Sequence, residues 1–158
     1  EAELTEAETG GLLVWGDPSL YDSTLRILDR LQARPDVHLD YDVIPGVTAV
    51  QALAAAHKVT LNNIGEPFVT TTGRRLGEGG MPQGNAVIML DGELAFQSVD
   101  PDLWIYWGAY LGSPDELLVA GRVGDVADEI VRRRSEARAR KGWIMDIYLL
   151  KRRPTGEA

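Results

Sequence analysis

The sequence predicts an α/β fold, and three observations point that way. Over residues 11–58, short apolar runs alternate with segments of helical periodicity. Both early apolar runs end where a glycine and a proline stand together or one residue apart, Gly16-Asp17-Pro18 and Pro45-Gly46, which is the punctuation of a strand-to-helix bend. Beyond residue 66 the strand-like runs FVTTT, AVIML, LWIYWGAYL, ELLVAGRV and WIMDIYLL dominate.

Taken in order, GLLVW at 11–15 reads as a buried strand. Leu20, Thr24, Ile27, Leu28 and Leu31 then recur at helical spacing, so a helix runs to about Ala33, where Pro35 stops it. HLDYDVI at 38–44 alternates apolar and polar residues and reads as a second strand, followed by the alanine-rich helix TAVQALAAAHK. Strand–helix–strand–helix order predicts a mostly parallel sheet. After NNIGEP the texture changes, and a boundary is expected at 65–67, between a part covering 1–65 and a strand-rich α+β part covering 66–158. GRRLGEGGMPQG, with its many glycines, is expected to be a mobile loop. A helix opens at Asp125 and ends among Arg132, Arg133, Arg134, Arg138 and Arg140, acid first and base last, as the helix dipole favours. Those arginines are expected on its wet face. No internal repeat is visible.

The 158 residues suffice for one domain or two small ones, and 44% apolar with 25% charged residues describes a globular chain. No apolar run reaches the roughly 18 residues of a membrane span, and the acidic start EAELTEAETGG is unlike a signal peptide. There is no cysteine, hence no disulfide, thiolate nucleophile or zinc–thiolate site, and a reducing cytoplasm fits. A net charge of −8 argues against a broad nucleic-acid surface. An anionic ligand would need a local basic pocket.

WGDPSLY has two readings side by side. Locally, Gly16 permits the sharp exit, Asp17 caps the helix and Pro18 presets its first turn. Functionally, open α/β sheets bind ligands at the carboxyl ends of strands, and a glycine lets a bound molecule approach the backbone. IPGVTA repeats the pattern, with Thr48 at a helix start. The standard alternatives fail. GEGGMPQG lacks the lysine and hydroxyl residue of a P-loop, no G-x-G-x-x-G opens a helix, and no G-x-S-x-G elbow is present. His38 and His57, the two histidines, show no metal-ligand spacing, so no metal is expected. Arg74 and Arg75 either grip carboxylates as bidentate donors or are solvated loop residues. Trp104, Tyr106, Trp107 and Tyr110 either fill a core or stack on a flat macrocycle. Asp91-Gly92-Glu93 is a turn or a proton-handling site.

These motifs, read together, resemble the tetrapyrrole methylase family. WGDPSLY resembles the family's second glycine loop, Pro45 to Ala49 match its P-G-V-T-A segment, and LGSPDE, Leu111 to Glu116, resembles its L-G-x-P-x-E. WGDPSLYDSTLRIL, IPGVTAVQALAA, NNIGEP, TTGRRL, IYWGAYLGSPDE and GWIMDIYLL together resemble the members of aerobic cobalamin synthesis that act on precorrin-5, over Gly11 to Pro154. The resemblance implies a tetrapyrrole methylase-like α/β fold, two α/β domains with a cleft between them that binds S-adenosylmethionine. It implies methyl transfer to C-1 of a tetrapyrrole (precorrin) substrate with loss of an acetyl group as acetate, in a cytoplasmic homodimer. By position, Trp15, Gly16, Asp17, Leu20, Thr48, Ala49, Leu90 and Gly121 would contact the cofactor, with Met89 beside Leu90. Tyr21, Asp91 and Glu93 are candidates for the proton handling of deacetylation, and Arg74 and Arg75 for clamping substrate carboxylates. The family opens with a strand and a G-x-G-P loop that nothing here matches, so the N-terminal domain is expected to be incomplete in this chain.

Three rivals remain. Another corrin methyltransferase of the family would keep the cofactor loops and methylate a different carbon. An RNA or protein methyltransferase is disfavoured by the charge. The third is a non-catalytic S-adenosylmethionine-binding or scaffold fragment, of which a scaffold would bind no cofactor.

Overall fold

The computed structural model describes residues 8–152. The chain divides between Thr48 and Ala49 into two units, residues 1–48 and 49–158.

In the first unit, helix α1 (Thr24–Gln32) is the one regular element among the described residues. It begins where Asp22 Oδ1 accepts the Thr24 amide at 2.6 Å, so Asp22 rather than Asp17 takes the first helical N–H. Pro18 lies six residues ahead of the helix and does not preset its first turn. The strands expected at 11–15 and 38–44 are not formed. Leu13 and Ile44 are 102% and 85% exposed, and neither segment has a neighbour in a ladder. Apolar composition supplies β-propensity, but a strand's N–H and C=O groups are satisfied only by pairing.

The second unit is built on a five-stranded sheet. Its elements are α2 (Ala49–His57), β1 (Phe68–Thr72), α3 (Gly73–Gly79), β2 (Asn85–Met89), a 3-10 turn (Ala95–Ser98), β3 (Trp104–Ala109), β4 (Leu117–Arg122), α4 (Val123–Lys141) and β5 (Asp146–Lys151). The strand order is β1-β2-β5-β3-β4. Only β1 and β2 run parallel, and every other pair is antiparallel. The mostly parallel sheet expected from residues 11–58 is not formed there, and the sheet of the strand-rich later part is mixed. The reason is connectivity: β5 enters last and fills the centre between β2 and β3, antiparallel to both.

Period-two alternation divides the sheet's residues between its two faces. Ala86, Ile88, Ile105, Trp107, Tyr148 and Leu150 join Val123, Ile130 and Ala137 of α4 in the main core. The opposite face meets α2: a Cβ on Gly108 would lie 2.9 Å from Leu53 Cδ1, and His57 packs edge-on to Tyr106 with ring centroids 5.5 Å apart. Trp107 is fully buried and Tyr106 and Tyr110 are 7% exposed, so these aromatics fill core and offer no open stacking surface.

Two helix starts differ from expectation. The segment from Gly73 is no loop but the helix α3, despite its glycines. Leu76 is 2% exposed and anchored in the core, Thr72 Oγ1 accepts the Arg75 amide, and tertiary burial overrides poor propensity. Helix α4 begins at Val123, two residues before Asp125. Its first amides are satisfied by a neighbouring loop, Val123 N–H on the Leu103 carbonyl at 2.8 Å and Gly124 N–H on the Pro101 carbonyl at 2.9 Å.

Candidate functional site

The two glycine bends of the first unit touch each other. Gly16 has φ +75°, which favours glycine. A Cβ placed on Gly46 would lie 2.0 Å from the Gly16 carbonyl oxygen, so position 46 must be glycine for the bends to close. Asp17 fastens them. Its Oδ2 accepts the Gly46 N–H at 2.8 Å, and its Oδ1 accepts the Ser19 N–H at 2.8 Å and the Ser19 hydroxyl. The Ser19 hydroxyl, then the Gly46 and Ser19 amides, hold the Asp17 carboxyl below the usual carboxylate range. Its acceptors are thus used within the bend, and Asp17 is a brace.

Around that brace, Trp15 is 73% exposed, Leu20 and Thr48 are half-buried, and Leu20 N–H closes a turn on the Asp17 carbonyl at 3.2 Å. Space remains beside Gly16, where an added Cβ would meet Thr48 Cα and the Val47 carbonyl at 3.5 Å, ordinary contact. Bare main chain with an exposed indole and few free charges fits a neutral, nucleoside-like group. Tyr21, at φ +52° and 48% exposed, stands at the end of the same loop.

Within the second unit, several predicted residues gather at one end of the sheet. Thr72 of β1 is in register with Met89 of β2, so α3 and its exposed Arg74 and Arg75 start beside Leu90. This is the carboxyl end of the parallel pair, where α/β folds place ligands. Leu90 is 69% exposed and has φ +54°, a region costly for a leucine. Glu93 is exposed. Asp91 is 6% exposed; its Oδ2 accepts the Tyr148 hydroxyl at 2.6 Å and the Ala95 N–H at 2.8 Å. Its Oδ1 is buried without a hydrogen-bond partner and would lie 2.3 Å from a Cβ at Gly73.

Gly121 is not brought to that end. Ala86, Leu150, Ile105 and Gly121 form one row across four strands, which puts Gly121 four residues along and three strands across from Leu90, about 20 Å away. The missing side chain there admits Val126, whose Cγ1 would lie 2.6 Å from a Cβ. Ala49 opens α2.

Sequence reading missed a buried polar network. Arg134 Nε and Asp146 Oδ2 are 2.9 Å apart, with side chains 10% and 8% exposed. Arg134 Nη2 also donates to the Asp91 carbonyl at 3.0 Å, and the Trp107 indole N–H donates to Asp146 Oδ2 at 3.0 Å. Burial, then the hydrogen bond and charge of Asp91, push the Tyr148 hydroxyl far above the ordinary phenol value. Arg134 shares a stripe with Ile130 and Ala137, a signal hidden by the run of three arginines. Its neighbours do sit on the wet face, Arg132 with Glu136 at 3.0 Å and Arg133 with Glu129 at 2.7 Å. His57 Nε2 lies 2.9 Å from the Trp107 carbonyl. Among the described residues no group of acidic or histidine side chains is placed to hold a metal ion, and no helix is long and apolar enough to cross a membrane.

The sequence profile of the Tetrapyrrole (Corrin/Porphyrin) Methylases matches residues 1–127, and the chain belongs to that family. It is 57% identical over 153 residues, 95% of its length, to a precorrin-6A synthase [deacetylating] of Sinorhizobium sp. It spans 58% of that relative's length. A crystal structure of a cobalamin-synthesis-related protein (CobF) of Corynebacterium diphtheriae superposes with a TM-score of 0.82 at 45% identity, over 88% of this chain and 59% of that one. The X-ray structure of a cobalt precorrin-4 methyltransferase, CbiF, superposes with a TM-score of 0.62 at 22% identity, over 86% of this chain and 61% of that one, and shares the fold.

Proposed function

We propose that the protein to which this chain belongs is an S-adenosylmethionine-dependent methyltransferase of aerobic cobalamin biosynthesis. It methylates precorrin-5 at C-1, and the acetyl group takes up water and leaves as acetate, to give precorrin-6A. What carries the reading is the closed pair of bends at Gly16 and Gly46, braced by Asp17, in a chain 57% identical to a precorrin-6A synthase [deacetylating].

Bound S-adenosylmethionine would supply a methyl group already electrophilic on its sulfonium sulfur. The residues of this chain therefore have to hold, orient and exclude water, and need not provide a metal. Trp15, Gly16, Leu20 and Thr48 offer apolar surface and bare backbone for the cofactor, and Asp17 keeps that backbone in shape. Ala49, Leu90 and Gly121 are the remaining cofactor positions, Leu90 and Gly121 lying roughly 20 Å apart across the sheet. Arg74 and Arg75 bind substrate carboxylates. Exposed Glu93 and Tyr21 are the groups open to solvent for proton handling in deacetylation. A division of the family's two domains at residues 65–66, a cytoplasmic location and a homodimer belong to the same proposal.

Titration calorimetry with S-adenosylmethionine and S-adenosylhomocysteine tests it, followed by product analysis with precorrin-5. Saturable heat with both and a product methylated at C-1 are expected. Absence of heat favours a scaffold, and methylation elsewhere favours another corrin methyltransferase.

A further inference from the structure

We infer that Tyr148, Arg134 and Asp91 are positioning residues that hold the Leu90 side chain against the cofactor, an inference resting on the proposal that Leu90 meets it. Leu90 combines two features that do not belong together in an idle surface residue. It is 69% exposed, and it sits at φ +54°, where a leucine relaxes away unless its surroundings over-determine it. Both flanks are fixed. Met89 is paired with Ile147 in the ladder. Asp91 is gripped by three hydrogen bonds, its carbonyl accepting from Arg134 Nη2 at 3.0 Å and its Oδ2 from the Tyr148 hydroxyl at 2.6 Å and from Ala95 N–H at 2.8 Å, and Gly73 leaves room for its carboxylate. Arg134 is in turn locked by Asp146, which also takes the Trp107 indole N–H.

So α3, α4, β5 and the 3-10 turn all converge on the residue next to an exposed, strained leucine. An apolar core could join these elements with less desolvation. What the polar network adds is direction, because hydrogen bonds to the carbonyl and the carboxylate of Asp91 fix the residue that directly follows Leu90. Asp91, 6% exposed with its Oδ2 engaged, acts through Leu90 and does not reach a macrocycle.

The test is a double-variant cycle on the full chain, read by S-adenosylhomocysteine calorimetry and by amide hydrogen exchange. Tyr148→Phe keeps the ring and deletes the hydroxyl. Leu90→Gly keeps the left-handed backbone and deletes the side chain. Each is expected to weaken binding by about tenfold, the worth of one hydrogen bond or one buried contact. The double variant should bind no more weakly than Leu90→Gly alone, since nothing is left to position. Equal further loss from Tyr148→Phe in both backgrounds overturns the inference, because a generally loosened unit would behave that way. Exchange reads positioning without ligand: amides 90–95 should exchange faster in Tyr148→Phe while those of β3 and β4 stay unchanged. Unaltered exchange at 90–95 overturns the inference whatever the calorimetry gives. A wild-type chain that takes up no S-adenosylhomocysteine overturns the functional reading instead.

Discussion

The Gly46 backbone N–H donates to Asp17 Oδ2 at 2.8 Å across 29 residues of chain, and that bond ties together the two bends on which the cofactor assignment depends. Neither bend is held by a strand, so side-chain chemistry substitutes for a ladder. Asp17→Ala should therefore expose the Gly46 amide to exchange and abolish S-adenosylhomocysteine binding, while Asp17→Asn, which keeps an acceptor oxygen, should retain part of both. The pH dependence has a definite sign. Because the folded carboxyl is held below its usual range, the brace is intact above the unfolded value and is lost as pH falls through the folded one. Binding should persist through mildly acidic solution and fail only in stronger acid.

Closeness of the bends gives a second expectation. A Cβ at position 46 would lie 2.0 Å from the Gly16 carbonyl oxygen, and the atom it meets is backbone, which cannot swing aside. Gly46→Ala should separate the bends and weaken S-adenosylhomocysteine binding by about five- to a hundredfold, the equivalent of overpacking by about 1–3 kcal/mol. Gly11→Ala, where nothing lies within 4 Å, is the control and should bind as wild type.

Arginine position along α4 separates burial from display. Arg134 and Asp146 are 10% and 8% exposed at the side chain, so Arg134→Met strands a buried carboxylate and should cost about 3–5 kcal/mol in urea unfolding. Arg132 and Glu136 are 59% and 60% exposed, and Arg132→Met should cost at most about 0.5 kcal/mol. Similar losses for the two would deny the buried pair its role.

How much of this was legible can be argued from those same residues. The helices α1, α2 and α4 were readable because their apolar positions recur at helical spacing, and the five later strands because their apolar runs are short and bounded by turns. The strands expected at 11–15 and 38–44 failed because pairing is a property of neighbours, which a local pattern does not contain. Glycine content hid α3, whose stability comes from burying Leu76. The Gly16 and Gly46 bends were recognisable as bends, but the strand tips expected to bring them together are not formed, and the Asp17 side chain joins them instead. Arg134 was lost in a run of like residues, and Tyr148 in a strand that reads as plain core. Register across β2, β5, β3 and β4, which sets Gly121 far from Leu90, is a tertiary fact with no local signature.

Tyr148 should be silent in an alkaline titration. Its folded value is raised far above that of a free phenol, so the neutral hydroxyl stabilises fully below about pH 10 and that contribution falls as pH rises beyond it, because only the unfolded chain ionises there. Its hydroxyl should ionise only when the chain unfolds. Wild-type stability should drop above pH 10 by up to about 1.4 kcal/mol per pH unit from this group, and Tyr148→Phe should show a shallower drop. Equal slopes would mean that the hydroxyl is not buried on Asp91.

Arg74 and Arg75 stand exposed at the start of α3, beside Leu90. In a chain of net charge −8, a substrate carrying many carboxylates needs local base to approach at all. Two positive charges at a helix N-terminus oppose its dipole, and Glu78, which pairs with Arg75 at 3.6 Å, is itself 59% exposed. Replacing both with alanine should therefore leave folding intact or slightly improve it, so a loss of binding could not be blamed on a damaged unit. The double variant should bind a carboxylate-rich tetrapyrrole about tenfold more weakly, with the difference shrinking as salt screens the charges, and should keep its affinity for S-adenosylhomocysteine. Equal losses of both ligands would count against a clamp, because a group that only grips substrate carboxylates has no purchase on a nucleoside held at the glycine bends.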